Sequence, residues 1–256
     1  IDGKNWTVRG ESILDYWSHE VQNQSNIDSI DMVLTDIGIG YACSTNSTEV
    51  YFHTLNLDGT FDTIVVQNLG GEKTDSCAIG VTSEDRVQIA YGVDDDDNES
   101  TASHVRLARL AEKNAVYLER TWHIRTIAEN VYDSGSESLN LKFDNDSRTH
   151  IFFRQTGTHG LHHLSFNKAF WNNTLLDEGP IGSEIEIAID DENMFHIVYT
   201  IQAESNLSES EVRLLRFNET SESRQVLSRG LSISEAIGMD LDSNNIEQIA
   251  YSSSNS

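Results

Sequence analysis

Carboxyl groups dominate the chemistry open to this sequence. Acid–base cleavage of a glycosidic bond takes two of them, one held protonated and one ionised. Asp28, Asp75, Glu137, Glu184 and Glu235 each stand at the start of an alternating apolar run. Strand ends in those places would carry carboxyl groups toward a shared opening. In a chain with 42 acidic residues the simpler reading of each is a solvated loop residue. A second acidic feature is the run Asp94, Asp95, Asp96 and Asp97, followed by Asn98 and Glu99. Ca2+ takes several oxygen ligands from one flexible loop. No glycine punctuates this run, so a solvated acidic loop is the simpler reading and Ca2+ the sharper one. No motif calls for any other cofactor.

Tyr16, Trp17 and His19 share the polar connection 14–28. Exposed aromatic rings there would stack on a sugar or a partner side chain; the alternative is a side chain that plugs an internal opening. His159, His162 and His163 suggest zinc, which needs convergent ligands. His162 and His163 are consecutive on an extended run and point to opposite faces, so packing is preferred. His150 and His196, with Gln88 and Gln248 at matching places, recur after a polar turn, which argues for structural hydrogen bonding. Cys43 and Cys77 fall at the same level of neighbouring repeats, where a disulfide and two buried thiols are both admissible. No nucleophile elbow, phosphate-binding glycine loop or Cys/His pair is present.

The totals narrow the classes. The chain has 256 residues, 38% of them apolar, and one proline. Lys and Arg number 17 against 42 Asp and Glu, a formal charge of −25. Such a surface repels phosphate backbones, which speaks against nucleic acid as a partner. No apolar run is long enough to cross a membrane as a helix. Asn-x-Ser/Thr sequons at Asn5, Asn23, Asn46, Asn98, Asn145, Asn172, Asn206 and Asn218 suit an extracellular or cell-surface protein that is N-glycosylated. Oligomeric state is not legible.

The elements that must position these groups come from an internal repeat. Residues 184–200, EIEIAIDDENMFHIVYT, read as strand, acidic turn, strand: Ile185, Ile187 and Ile189 alternate, then Phe195 to Tyr199 form a β-branched and aromatic run. The pattern recurs at residues 78–92, 139–154 and 236–252, and more weakly at 30–43. Each copy but the one at 236–252 is followed by two further strand patterns. Repeats of roughly 50 residues with four strands each predict an all-β, five-bladed β-propeller. The expected units are 29–68, 76–128, 138–178, 184–230, and 235–256 completed by 1–13. In that arrangement the chain ends share the last sheet, which closes the ring and hides its edges. The strand that should stand third in that closing unit has no counterpart in the sequence.

The turn pattern is carried by Asp144 with His150-Ile151-Phe152-Phe153, Asp190 with His196-Ile197-Val198-Tyr199, Asp242 with Gln248-Ile249-Ala250-Tyr251, and Ser83 with Gln88-Ile89-Ala90-Tyr91. It resembles the repeats of extracellular bacterial and archaeal β-propellers. Five-bladed relatives in the broad sense include lectins and arabinan- or fructan-cleaving glycosidases, so the resemblance implies architecture rather than one activity. Long connections gather on one face and tight turns on the other, and binding is expected on the long-loop face near the channel mouth. The leading expectation is a non-catalytic extracellular propeller that recognises a glycan or protein there. The alternatives are a glycoside hydrolase with carboxylates at the channel mouth, and a structural repeat of a larger surface protein.

Overall fold

The computed structural model describes residues 7–8, 11–12, 27–35, 39–55, 61–74, 76–94, 103–111, 121–132, 139–155, 160–167, 169–202, 210–230 and 233–253. Every regular element among them is a β-strand. β1 (Thr7–Val8) pairs with β2 (Glu11–Ser12) in a two-stranded sheet. The first four-stranded sheet orders β3 (Ser29–Leu34), β4 (Gly40–Thr45), β5 (Glu49–Leu55) and β6 (Phe61–Asn68). The second orders β7 (Cys77–Val81), β8 (Val87–Val93), β9 (Ser103–Leu110) and β10 (Trp122–Tyr132). The third holds β11 (Asn140–Phe143), β12 (Thr149–Gln155), β13 (Gly160–Phe166) and β14 (Trp171–Glu178). The fourth holds β15 (Ile181–Ile189), β16 (Phe195–Ile201), β17 (Glu211–Phe217) and β18 (Glu222–Arg229). β19 (Ile233–Leu241) and β20 (Glu247–Ser253) form a two-stranded fifth sheet. All ladders within the four-stranded sheets are antiparallel between consecutive strands, the build of a β-propeller.

The turn between first and second strands repeats because its sequence does. In three sheets an Asp Oδ1 accepts the N–H groups two and four residues on: Asp144 from Asp146 (3.0 Å) and Arg148 (2.7 Å), Asp190 from Glu192 (2.9 Å) and Met194 (2.8 Å), Asp242 from Asn244 (2.8 Å) and Ile246 (3.0 Å). In the second sheet Thr82 Oγ1 takes the same two contacts, from Glu84 and Arg86. Each turn then needs one left-handed residue, supplied by Asp85, Ser147, Asn193 and Asn245 at φ near 60°. His196 ties its turn to the next sheet: its ring nitrogens lie 3.2 Å from Asp190 Oδ2 and 2.7 Å from Glu247 Oε1.

The core lies between sheets, not within one. Cys43 and Phe52 of the first sheet meet Ile79, Ile89 and Tyr91 of the second, and Cys43 is joined to Cys77 by a disulfide across that contact. Closing a loop with a sequence separation of 34 removes about 4 kcal/mol of unfolded-chain freedom. Ala78 and Leu107 meet Leu141 and Ile151. Phe152 and Leu161 meet Ile187 and Ile197. Val198 and Leu214 meet Ile237. Inner strands approach closely; a Cβ on Gly80 would stand 2.7 Å from the Phe143 ring. They are also stitched: Asp31 Oδ2 accepts the Ile79 N–H (2.9 Å), and Asn140 Nδ2 donates to the Ile185 carbonyl (2.9 Å).

Farther out, Asp177 on β14 is buried and gripped by the fourth sheet. It accepts from Tyr199 Oη (2.5 Å), Arg213 Nη1 (2.7 Å) and Arg224 Nη1 (3.4 Å). Removing one member of a buried charge network strands the others. Asp177→Ala should therefore lower stability by about 3 kcal/mol, read in thermal unfolding as a Tm drop of roughly 6–12 °C. A variant that unfolds with the wild type would show that the network holds nothing together.

The expected shared final sheet is not among the ladders of the described residues. β1–β2 and β19–β20 are separate two-stranded sheets. Tyr251 on β20 stays 38% exposed, although Tyr91 and Tyr199 at the matching register are fully buried.

Candidate functional site

Ladder register puts the five inner strands on one scale. Asp31 pairs with Cys43, Ala78 with Ala90, Asn140 with Phe152, Glu186 with Val198, and Gly238 with Ala250. Those second-strand residues in turn face Phe52, Leu107, His163 and Leu214 in the first four sheets. Asp31, Ala78, Asn140, Glu186 and Gly238 therefore occupy one slot. Small residues fill it on β7 and β19. On β3, β11 and β15 it holds an aspartate, an asparagine and a glutamate. Polar groups placed where the scaffold needs only small ones mark a functional candidate.

Asp31 acts on Glu186 by charge across the inner strands. Burial pushes the Asp31 carboxyl up; the Ile79 and Met32 amides and the Lys142 ammonium pull it back down only in part. Burial also raises Glu186, and the charges of Glu184 and Asp31 raise it further while Lys142 opposes them. Lys142 on β11, two residues after Asn140, thus acts on both acids. Among the described residues Glu186 accepts no hydrogen bond, whereas Asp31 holds two N–H donors. The better anchored carboxylate is Asp31.

The carboxylates singled out from sequence stand elsewhere. Asp28 is exposed and accepts from Ser47 Oγ (2.6 Å), a surface tie at the start of β3. Glu184 precedes Glu186 by two residues and acts on it by charge. Glu235 lies on β19. Asp94 exchanges backbone hydrogen bonds with Lys73 (2.8 and 3.0 Å). Asp75, Glu137, Tyr16, Trp17, His19, Asp95, Asp96, Asp97 and His159 lie outside the described residues. His162 and His163 do point apart: the first ring stacks on Phe153, the second on Phe152. Among the described residues no group of three or more His, Cys, Asp or Glu side chains is arranged to hold a metal. Asp31, Lys142 and Glu186 were missed because a charged residue inside a strand pattern reads as a surface position. The available signal was the slot itself, Ala or Gly in some repeats and Asp, Asn or Glu in others.

No protein-family model matches this chain, and no curated protein does. Solved structures match its fold. One is an exo-1,5-α-L-arabinanase from a bovine ruminal metagenomic library, with TM-score 0.50 and 10% identity over 89% of this chain and 98% of that one. Another is an α-L-arabinofuranosidase from Lactobacillus brevis, with TM-score 0.54 and 8% identity over 90% and 84%. A third is the GH93 α-L-arabinofuranosidase of Fusarium graminearum with arabinobiose, with TM-score 0.53 and 8% identity over 78% and 66%. These findings overturn the expectation of a non-catalytic binding or scaffold propeller. The similar structures are named as glycoside-cleaving enzymes, and the polar slot lies on inner strands, not on the loops that expectation relied on. Identity this low establishes the fold, and the fold is that of a β-propeller.

Proposed function

We propose that this protein is a glycoside hydrolase acting on arabinose- or galactose-containing glycans. Asp31 and Glu186 are its carboxyl pair. The observation that carries the reading is their common slot on inner strands β3 and β15, where burial raises both and the charge of Asp31 raises Glu186 further. Glu186, with its raised pKa and no donor holding its ionised form, protonates the leaving oxygen. Asp31, anchored by two amides and facing Lys142, supplies the second carboxylate that glycoside cleavage uses. Asn140 fixes β11 against β15 and so sets where Lys142 stands. The names of the similar structures supply the sugar class: arabinose from those above, galactose from a further one, a GH43 β-1,3-galactosidase with TM-score 0.51 and 8% identity over 88% of this chain and 93% of that one.

The Cys43–Cys77 disulfide and the sequons favour an extracellular or cell-surface setting. No helix among the described residues is long and apolar enough to cross a membrane. The test is release of reducing sugar from 1,5-arabinan, aryl arabinofuranosides and β-1,3-galactan. Wild-type protein is expected to turn over at least one of them, and Asp31→Asn and Glu186→Gln to lose that activity. No turnover of any, or variants as active as wild type, would remove the proposal.

A further inference from the structure

Away from the inner-strand acids, the third and fourth sheets part on the face of the tight turns. They leave a cleft of about 590 Å³. Its floor is aromatic. Phe195 and Phe217 stack at 5.2 Å between centroids, and the His163 ring meets Phe217 edge-on at 5.3 Å. His163 holds the register place of Phe52, Leu107 and Leu214 in the other sheets. A polar ring has replaced an apolar side chain in one cleft.

The ring is also wired. His150 Nδ1 lies 2.9 Å from His163 Nε2. Asp144 Oδ2 lies 3.4 Å from His150 Nε2, outside hydrogen-bond geometry but close enough to favour a proton there by charge. With that proton on Nε2, His150 Nδ1 accepts from His163 Nε2–H. His163 Nδ1 is then left as a bare acceptor, with no partner among the described residues. Burial and the neighbouring imidazole push the His163 pKa down to about 3, so the ring is neutral at ordinary pH. The next contact round differs. There Glu247 occupies the register place of Phe195, and the Asp190–His196–Glu247 chain closes on itself. Only the third-to-fourth cleft, among the described residues, ends its histidine chain on an open acceptor.

The rim sets the charge. Asp146, Glu192 and Glu219 are exposed carboxylates, and Arg148 is already paired with Glu219 (3.0 Å) and Asp146 (3.3 Å). An anionic ligand would be repelled, and a purely apolar one would leave the His163 acceptor unmet. We propose that this cleft is a second binding subsite, for a neutral sugar unit whose apolar ring face lies on Phe217 and whose hydroxyl donates to His163 Nδ1. Rim carboxylates accept further hydroxyls. The subsite stands apart from Asp31 and Glu186, and its failure or success leaves their role untouched.

The test follows the imidazole nitrogen resonances of His150 and His163 by NMR. The Asp31→Asn/Glu186→Gln double variant is used, so that no probe is consumed. Arabinobiose and β-1,3-galactobiose are the neutral probes, digalacturonate the anionic one and glucosamine the cationic one. At least one neutral probe is expected to shift the His163 signal. The binding should weaken about tenfold or more in Phe217→Ala and in His163→Leu, the latter followed by Phe217 ring proton shifts. His163→Leu installs the residue found at that register in two other sheets and keeps the fold, checked by circular dichroism. No response to either neutral probe, a response to glucosamine or digalacturonate alone, or an undiminished affinity in Phe217→Ala overturns the subsite.

Discussion

Glu186→Gln and Asp31→Asn should each lower glycoside turnover by about a hundred- to ten-thousandfold, the worth of one positioned acid or base. The two losses should differ in kind. Glu186 is assigned to protonate the leaving oxygen. Its variant should retain most rate on an aryl glycoside whose leaving group departs unaided, and lose most on a polysaccharide. Asp31→Asn keeps an oxygen for the backbone donors of Ile79 and Met32 but loses the charge, so it should fail on both substrates. Steady-state kinetics on a paired aryl and natural substrate separate these outcomes. Equal losses on both substrates in the Glu186 variant would deny it the acid role. Lys142 pulls both pKa values down. Lys142→Met should therefore carry both limbs of the pH–rate profile to higher pH.

Acid should unfold this protein, in two successive windows. His53 is buried between Ser44 Oγ (2.7 Å) and Thr63 Oγ1 (2.9 Å), and burial lowers its pKa to about 4. His163 is lowered to about 3 by burial and by His150. A depressed histidine contributes nothing above pH 6.5, where it is neutral in both states. As pH falls below 6.5 the unfolded chain takes the proton and the folded one does not, so stability drops until the folded pKa is reached. At about pH 4.5 the two rings together should cost about 5 kcal/mol relative to pH 7. Glu247 acts later. Its bonds to Arg216 and His196 hold it down to about 2, so the stability it adds is complete above 4.5 and fades as pH falls from 4.5 to 2. Asp31 and Glu186, raised by burial, work in the opposite direction. They are common to wild type and His163→Leu, so comparing the two isolates the histidine. Urea unfolding at both pH values should show the variant losing about 2–3 kcal/mol less than wild type. Parallel losses would mean that His163 is not kept neutral by the fold.

The architecture was legible because it rests on local rules repeated several times. The alternation of Ile185, Ile187 and Ile189 and the turn acids Asp144, Asp190 and Asp242 each act within a few residues, and period and turn chemistry together define a sheet. The pairing of the chain ends depends on contacts between segments far apart in sequence, which no local pattern encodes. The site was hidden for a related reason. Asp31, Lys142 and Glu186 act on one another only once three inner strands are in place, and in the sequence Asp31 and Glu186 share only a place in the repeat. Attention to strand ends reached Asp28 and Glu184, a few residues short of the slot. Long loops drew the functional reading toward Trp17 and the non-catalytic view, while the groups with perturbed ionisation sit on the strands themselves.

The most direct measurement is a carbon-13 titration of the carboxyl groups of Asp31 and Glu186. In the wild type the Glu186 midpoint should lie above its ordinary value of 4.5. It should fall in Asp31→Asn, which removes a repelling charge, and rise in Lys142→Met, which removes an attracting one. A Glu186 carboxyl that titrates at the ordinary value and ignores both substitutions would contradict the acid pair and the hydrolase built on it.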